Sequence, residues 1–596
     1  MDSCLQDRVD KWLDWDKNEK TRCEVQHLIK ANNVKELRLR MEGNLSFGTA
    51  GVRCRMEAGF ARLNELTVIQ LSCALARHLI TELGGNVDKN KGIVIGYDGR
   101  HQSKRFAELA ANVLLLNGLK VFIFSEVVPT PVVSFAVVAL CCDAGIMITA
   151  SHNPKEDNGF KAYWANGAQI LAPHDTEICR IVAIEPKPAD SYWETSLISA
   201  NPLLHSADSV LEQYFSNESA ICSYHRSLNT TSQLRITYSA FHGVGSRFVR
   251  RMFAEFGFPP ELIFYVKEQD EPDPNFSTVS FPNPEEGHRV LSLCFETADV
   301  NDSTLILAND PDADRLQLAE KESSGEWRVF SGNEMGILLT WWVWTNWREK
   351  NPTADASRVF VLHSAVSSQM VSTMAVKEGF KSAVSLTGFK YIGNLAQKLR
   401  SEGKEVIVAW EESIGFTSGT TLDKDGVSSA AVFAEMANWL HTQKHISLRQ
   451  QLFCLYFLYG FHLQRNSYWI VKSAEVTKRM FADIRSDYPK KIGQNEVEFV
   501  RDLTTGYDNA QPDNKAILPL STSSEMVTFT LANGSIVTLR ASGTEPKLKY
   551  YIELRTEPGI EEKDLDSVVE VLDQLEDDVV QTLLQPAKYG LTSRRA

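Results

Sequence analysis

At 596 residues the chain exceeds what one hydrophobic core supports, so about three to five domains are expected. With 43% hydrophobic and 23% charged residues it is neither a disordered chain nor a fibre. A formal net charge of -14 argues against a nucleic-acid partner, whose phosphates demand a clustered cationic excess.

The first residues, 1–22, mix charges and tryptophans without an apolar run, so no secretion signal is expected. From Lys91 onward short β-branched runs alternate with helical patterns: 93–96, 103–116, 121–124, 132–142 and 144–148. This rhythm predicts βαβ units and a parallel sheet. The run 132–142 is the most apolar, yet it falls well short of the roughly 20 residues that span a membrane, and reads as a buried helix. No membrane association is expected. The same grammar recurs at 235–238, 246–256, 262–266, 286–296 and 304–307, then at 359–362, 367–378, 391–399, 405–409 and 427–440. Three similar units imply a repeat. The end differs: 525–531 and 536–540 flank Asn533-Gly534, a hairpin with a type I′ turn, followed by a strand at 550–554 and a closing helix at 561–584.

The expected fold is therefore α/β, with three similar domains carrying mixed or parallel sheets and a C-terminal α+β domain around one cleft. The boundaries are set at 1–205, 206–325, 326–455 and 456–596. Ten cysteines lack paired CxxC spacing, which speaks against zinc or a disulfide framework and for a reducing cytosol. Oligomeric state is not legible.

Open α/β sheets bind ligands beyond the carboxyl ends of their strands, so the loops there are the candidates. Thr149-Ala150-Ser151-His152-Asn153-Pro154 follows 144–148, with Lys161 further on. It offers a nucleophilic hydroxyl with a cation near, although turn chemistry alone accounts for such a tripeptide. His152 stays unassigned. Asp310, Asp312 and Asp314 alternate in the loop after 304–307, followed by Arg315. Three carboxylates on one turn repel unless a hard cation joins them, and Mg²⁺ suits few carboxylates plus phosphate. The loop lacks the Gly and Glu of an EF-hand; an aspartyl-phosphate enzyme stays open. The third unit offers Thr387-Gly388-Phe389-Lys390 and Glu411-Glu412-Ser413-Ile414-Gly415, with Lys424 beyond. Carboxylates and a serine suit sugar hydroxyls, while a capped helix start explains either loop equally. Arg540-Ala541-Ser542-Gly543-Thr544 makes a cradle for a dianionic phosphate. Gly243-Val244-Gly245 lacks the third glycine of a dinucleotide loop and is set aside.

Taken in order, these loops resemble those of the α-D-phosphohexomutase superfamily, from residues 47–53, ending in Arg53, to the last domain. Within it the chain looks most like the eukaryotic phosphoglucomutase and phosphopentomutase branch. The resemblance implies a phosphosugar mutase, with Ser151 as the phosphoserine. Ser151, Asp310, Asp312 and Asp314 would hold one Mg²⁺ per chain. Arg53 and Lys161 match catalytic cations. Arg53, Arg315, Thr387, Lys390, Glu411, Ser413, Lys424, Arg540, Ser542, Gly543 and Thr544 match substrate-binding positions. The implied substrate is a small phosphosugar, and the intermediate or activator a sugar 1,6- or 1,5-bisphosphate. A glucose-1,6-bisphosphate synthase using 1,3-bisphosphoglycerate is a rival on the same fold; a noncatalytic phosphosugar sensor or scaffold is a rival from another class. Two positions depart from the pattern. Pro311 stands where many relatives have Gly, and Trp410 where hexose-specific members often carry Gly, which leaves the sugar undetermined.

Overall fold

The computed structural model describes residues 2–48, 50–521, 525–541 and 547–593. They form two compact units, Met1–Ala354 with Thr387–His445, and Asp355–Leu386 with Ile446–Ala596. Among the described residues no helix is long and apolar enough to cross a membrane.

In the first unit, one six-stranded sheet runs in the order Val52–Arg55, Asp157–Trp164, Ala144–Ile148, Ile93–Tyr97, Val121–Ile123 and Leu204–Ser206. Ile93–Tyr97 pairs in parallel with both Ala144–Ile148 and Val121–Ile123. Both Ile93–Tyr97 and Ala144–Ile148 are buried along their whole length, which is why they read as continuous apolar runs rather than alternations. Ser103–Leu116 forms the expected helix. The apolar run after it is a buried helix at Thr130–Ala139, with Pro131 in its first turn, where a missing N–H costs nothing. It stops short of 142 because Cys141 turns to φ 53.

A second, five-stranded sheet runs Trp327–Val329, Leu316–Lys321, Leu305–Asn309, Ile236–Ser239 and Ile263–Tyr265. The helix expected over 286–296 is two elements, a 3₁₀ segment Pro284–Arg289 and a helix Ser292–Val300. Gly287, at φ 58 and ψ -124, breaks the continuity. From the third set of elements this unit holds Gly332–Lys350, Phe389–Ser401, Glu405–Glu411, Gly415–Thr417 and Gly426–Trp439.

The second unit contains the parallel pair Val359–Ser364 and Lys381–Ser385 with the helix Met370–Glu378. Its large sheet is antiparallel, built on Asn495–Asp502, Met526–Leu531, Ile536–Ala541, Lys547–Arg555 and His462–Ile470, and carries the helix Leu565–Val579. The expected hairpin forms, but not through a type I′ turn. Gly534 has φ 80, Asn533 does not take a positive φ, and Gly534 N–H bonds to the Leu531 carbonyl while Leu531 N–H bonds to that of Ser535. This is a type I turn closed by a glycine bulge, the three-residue alternative for joining two twisted strands.

Three helices at the start of the chain, Ser3–Trp15, Glu19–Lys30 and Val34–Met41, were not anticipated. Each begins at a side-chain cap, from Asp2, Asn18 and Asn33. Leu5, Val9 and Trp12 share one face and join the core of the first sheet's domain, with Trp12 set edge-on to Phe60 at 5.2 Å. Trp12→Ala is expected to lower the unfolding free energy by about 3–5 kcal/mol. Denaturant unfolding followed by fluorescence measures it, and a loss under ~1 kcal/mol would show that these helices do not belong to that core.

Candidate active site

The strand Leu305–Asn309 ends in the turn bearing Asp310, Asp312 and Asp314, and Leu316–Lys321 returns beside it with Leu316 opposite Asn309. Ala313, at φ 52, makes the reversal. The Asn309 amide pins both flanks by donating to the carbonyls of Arg315 at 2.6 Å and Gly426 at 3.0 Å. Gly243 leaves room for Pro311, since a Cβ there would stand 2.3 Å from the Pro311 Cα. The glycine pair that faintly suggested a dinucleotide loop thus seats the acidic turn.

All three carboxylates are fully buried, and one oxygen from each lies within 4.8 Å of the others. Lys161, itself fully buried, donates to Asp312 at 2.6 Å and Asp314 at 2.8 Å, and Lys424 stands 3.2 Å from Asp314. Thr130 adds a hydrogen bond to Asp312 at 2.5 Å. Burial and the charges of Asp312 and Asp314 push the Asp310 carboxyl well above its ordinary range. For Asp314, burial is outweighed by Lys161, Lys424 and Arg315, which hold it far below that range. One oxygen each of Asp312 and Asp314 is buried without a hydrogen-bond partner among the described residues. Clustered buried carboxylates with orphaned oxygens fit a hard divalent cation.

Ser151 faces this group. Its hydroxyl donates to Asp310 at 2.7 Å, and the residue is fully buried at φ 54. A serine in the left-handed region is strained, and the surrounding hydrogen bonds hold it. Thr149 Oγ accepts from Ser151 N–H at 2.9 Å and donates to Asp98 at 2.7 Å. The Arg100 guanidinium donates to the carbonyls of Ser151, Asn153, Pro154 and Asp157. Asp98 in turn accepts from Arg100 N–H at 3.0 Å and Ser103 Oγ at 2.6 Å. Asp98 and Arg100 escaped the sequence reading, although they follow the strand Ile93–Tyr97 at its carboxyl end, where the same rule pointed. His152 Nδ1 lies 3.2 Å from Ser151 Oγ, and burial together with Arg315 and Arg53 holds this imidazole neutral, well below its ordinary range.

Of the other predicted residues, Arg53 is half-buried and donates to Asn153 at 3.4 Å beside the serine turn. Arg315 bonds Glu285 at 2.9 Å, a partner 30 residues away that the sequence reading also missed. Glu411 is buried near enough for its charge to favour the cationic forms of Arg315 and Lys424. Ser413 sits in the adjoining turn. Lys390 pairs with Asp175 at 3.1 Å rather than with the acidic turn, and Thr387 is half-buried ahead of the same helix. Arg540 lies on the strand Ile536–Ala541 of the second unit, while Ser542, Gly543 and Thr544 fall outside the described residues.

Lys424 is delivered by a loop held from behind. Glu218 accepts from the N–H and hydroxyl of Thr420, and Arg400 donates to the carbonyls of Gly419 and Thr420. Burial, then the charge of Asp425, pushes the Glu218 carboxyl up from 4.5 to about 7. Between those values the unfolded chain releases a proton that the folded one keeps. Stability from this group therefore falls as pH rises through that window by at most ~3 kcal/mol, and is constant above it. Glu218→Gln should match the parent's thermal midpoint near pH 5 and exceed it near pH 8. Equal midpoints at both would contradict the assignment.

Four family models match the chain in order: phosphoglucomutase/phosphomannomutase alpha/beta/alpha domain I over residues 44–188, domain II over 212–325, domain III over 331–454 and the C-terminal domain over 491–566. Human phosphopentomutase is 46% identical across 99% of this chain and 97% of its own length. Human glucose 1,6-bisphosphate synthase is 44% identical across 100% and 96%. The open form of parafusin, a phosphoglucomutase from Paramecium, shares the fold with a TM-score of 0.68 at 16% identity, over 91% of this chain and 96% of that one. The chain is a phosphosugar mutase, an isomerase, and belongs to the phosphoglucomutase/phosphomannomutase family of the α-D-phosphohexomutase superfamily.

Proposed function

We propose that the enzyme interconverts a sugar 1-phosphate with its 5- or 6-phosphate through a phosphorylated Ser151. The observation that carries this is the Ser151 hydroxyl at 2.7 Å from Asp310, beside a buried three-carboxylate group with Lys161 among it. The free hydroxyl of a bound sugar phosphate attacks the phosphoserine. The serine O–P bond breaks, a sugar O–P bond forms, and the proton of the sugar hydroxyl is released as the serine oxygen regains one. The product is a sugar 1,5- or 1,6-bisphosphate. After this turns end for end, its other phosphoryl returns to Ser151 and the isomer leaves.

Asp310, Asp312 and Asp314 are the proposed holders of one Mg²⁺, which supplies charge neutralisation at the transferring oxygens. Lys161, Arg53 and Arg315 offer fixed cations to the same oxygens, so little reorganisation is needed as charge moves. Glu411 and Ser413 accept and donate to ring hydroxyls, with Thr387, Lys390 and Lys424 alongside. Arg540, Ser542, Gly543 and Thr544 form the proposed cradle for the phosphate that is not reacting.

The similarity to phosphopentomutases favours ribose and deoxyribose phosphates, with glucose phosphates as the second substrate class. Likeness of nearly the same extent, 44% against 46% identity, to glucose 1,6-bisphosphate synthase supports a second reading, in which 1,3-bisphosphoglycerate charges the serine. A cytosolic setting accords with ten free thiols.

Ser151→Ala should lower mutase turnover by more than about 10³-fold and abolish the single phosphate seen by intact mass; full turnover in this variant would refute the proposal. Chelation should stop turnover and Mg²⁺ restore it. Asp312→Asn and Asp314→Asn should each weaken calorimetric Mg²⁺ binding by about 10- to 100-fold or more, and unchanged affinity would remove the aspartates from the metal site. Parallel assays of ribose 1-phosphate and glucose 1-phosphate, with and without 1,3-bisphosphoglycerate, separate the two readings by which product accumulates.

A further inference from the structure

The strand Glu405–Glu411 turns into Gly415–Thr417 through Glu412, Ser413 and Ile414, with Glu411 opposite Gly415. Ile414 closes the turn at φ 55, a conformation that a β-branched side chain resists. Two anchors hold it. Its side chain is buried, and its carbonyl accepts from Leu316 N–H at 3.1 Å, two residues beyond Asp314.

The other side of this hairpin rests on the helix Gly332–Lys350. A Cβ on Gly332 would stand 2.0 Å from the Glu412 carbonyl oxygen, and one on Gly336 would stand 2.4 Å from the indole of Trp410. Neither glycine has a positive φ, and a glycine such as Gly336 in a helix interior weakens the helix relative to alanine. Conformational freedom does not explain them; close approach does. Trp410 is fully buried, and strand alternation sends its indole to the face opposite Glu411.

We infer that Gly332, Gly336 and Trp410 are positioning residues that set how far the Glu411–Ser413 turn stands from the acidic loop, and thereby choose between five- and six-carbon sugar phosphates. The inference rests on the reading that Glu411 and Ser413 bind the sugar. The reacting phosphoryl is fixed at Ser151, so the height of the hydroxyl-reading turn above it determines which hydroxyls fall within hydrogen-bond range. Relieving the contact created by one added methyl group requires a shift on the order of 1 Å, enough to break a hydrogen bond to a hydroxyl and to cost up to ~10²-fold in rate. The carboxylates of the acidic loop are held by Lys161, which comes from the first sheet and not from the hairpin, and they keep their metal.

The test compares the parent with Gly336→Ala, Trp410→Phe and the pair Gly336→Ala with Trp410→Leu, using ribose 1-phosphate and glucose 1-phosphate. Gly336→Ala should change the ratio of kcat/KM between the two sugars by about tenfold or more, chiefly through KM, with Mg²⁺ affinity by calorimetry unaltered. The compensating pair should move the ratio back toward the parent's. Trp410→Phe, which keeps the seat filled and stays folded if Gly336→Ala does not, should change it in a smaller degree. An unchanged ratio in Trp410→Phe and in every folded Gly336→Ala variant overturns the inference. Glu411→Gln and Ser413→Ala distinguish the underlying reading: if they leave KM for both sugars unchanged, the sugar-binding assignment itself fails.

Discussion

Three carboxylates buried on one turn would repel strongly enough to unfold that turn, and the surrounding architecture answers this constraint. Without partners, burial alone costs each ion several kcal/mol, and their mutual repulsion adds to it. Lys161, arriving from the strand Asp157–Trp164 of the first sheet, lies between Asp312 and Asp314, and Lys424 arrives at Asp314 from the third set of elements. The acidic turn of one domain is thus neutralised by cations from two others. Removing Lys161 leaves Asp312 without its paired cation, and removing Lys424 leaves Asp314 to share Lys161, so the three parts of the first unit are bound to one another by electrostatics at the site itself.

The serine turn depends on a different device. Arg100 spends its guanidinium on main-chain carbonyls, and Asp98 orders both that guanidinium's backbone and Thr149. Phe276, from the second sheet's domain, covers the guanidinium at 4.9 Å. A hydroxyl held at positive φ in this way has its direction decided before any ligand arrives, which is the condition for electrostatic stabilisation without reorganisation. The acidic turn supplies charge and the Arg100 nest supplies geometry. They meet at the bond between Ser151 and Asp310.

Much of this was legible in the residues because the signals were local. Fully buried parallel strands such as Ala144–Ile148 appear as apolar runs bounded by polar loops, and the alternation of Asp310, Asp312 and Asp314 places three donors on one turn without reference to the rest of the chain. Asp98 and Arg100 were equally local yet went unread, because an Asp-Gly-Arg turn looks ordinary until its carbonyl partners 51 to 57 residues away are known. Thr130 acts across domains, and Glu285 reaches Arg315 from 30 residues away within one, so neither leaves a spacing to find. The Asn533-Gly534 turn fails in the opposite way: the pair marks a hairpin correctly, but the strand register leaves three loop residues rather than two, and Gly534 alone takes the positive φ. The first of the three initial helices carries an apolar face at Leu5, Val9 and Trp12 that periodicity would have revealed.

The acidic turn also orders groups that never touch a carboxylate. Asn309 binds the carbonyls of Arg315 and Gly426, Gly426 N–H binds the carbonyl of Ala313, and Leu316 N–H binds that of Ile414. Main-chain hydrogen bonds therefore run from the loop that holds the acidic side chains to the two segments that carry Lys424 and the Glu411 hairpin. Backbone ties of this kind transmit position but little charge, since they persist whatever the ionisation of the side chains. The height of the hairpin is then a property of packing against the helix Gly332–Lys350, whereas the strength of the metal site is a property of carboxylates and lysines. Lys424 is common to both, since it pairs with Asp314 at 3.2 Å and its stem lies where a Cβ on Gly415 would stand, so the hairpin and the acidic turn meet through one lysine while the helix contact and the carboxylates stay on separate residues.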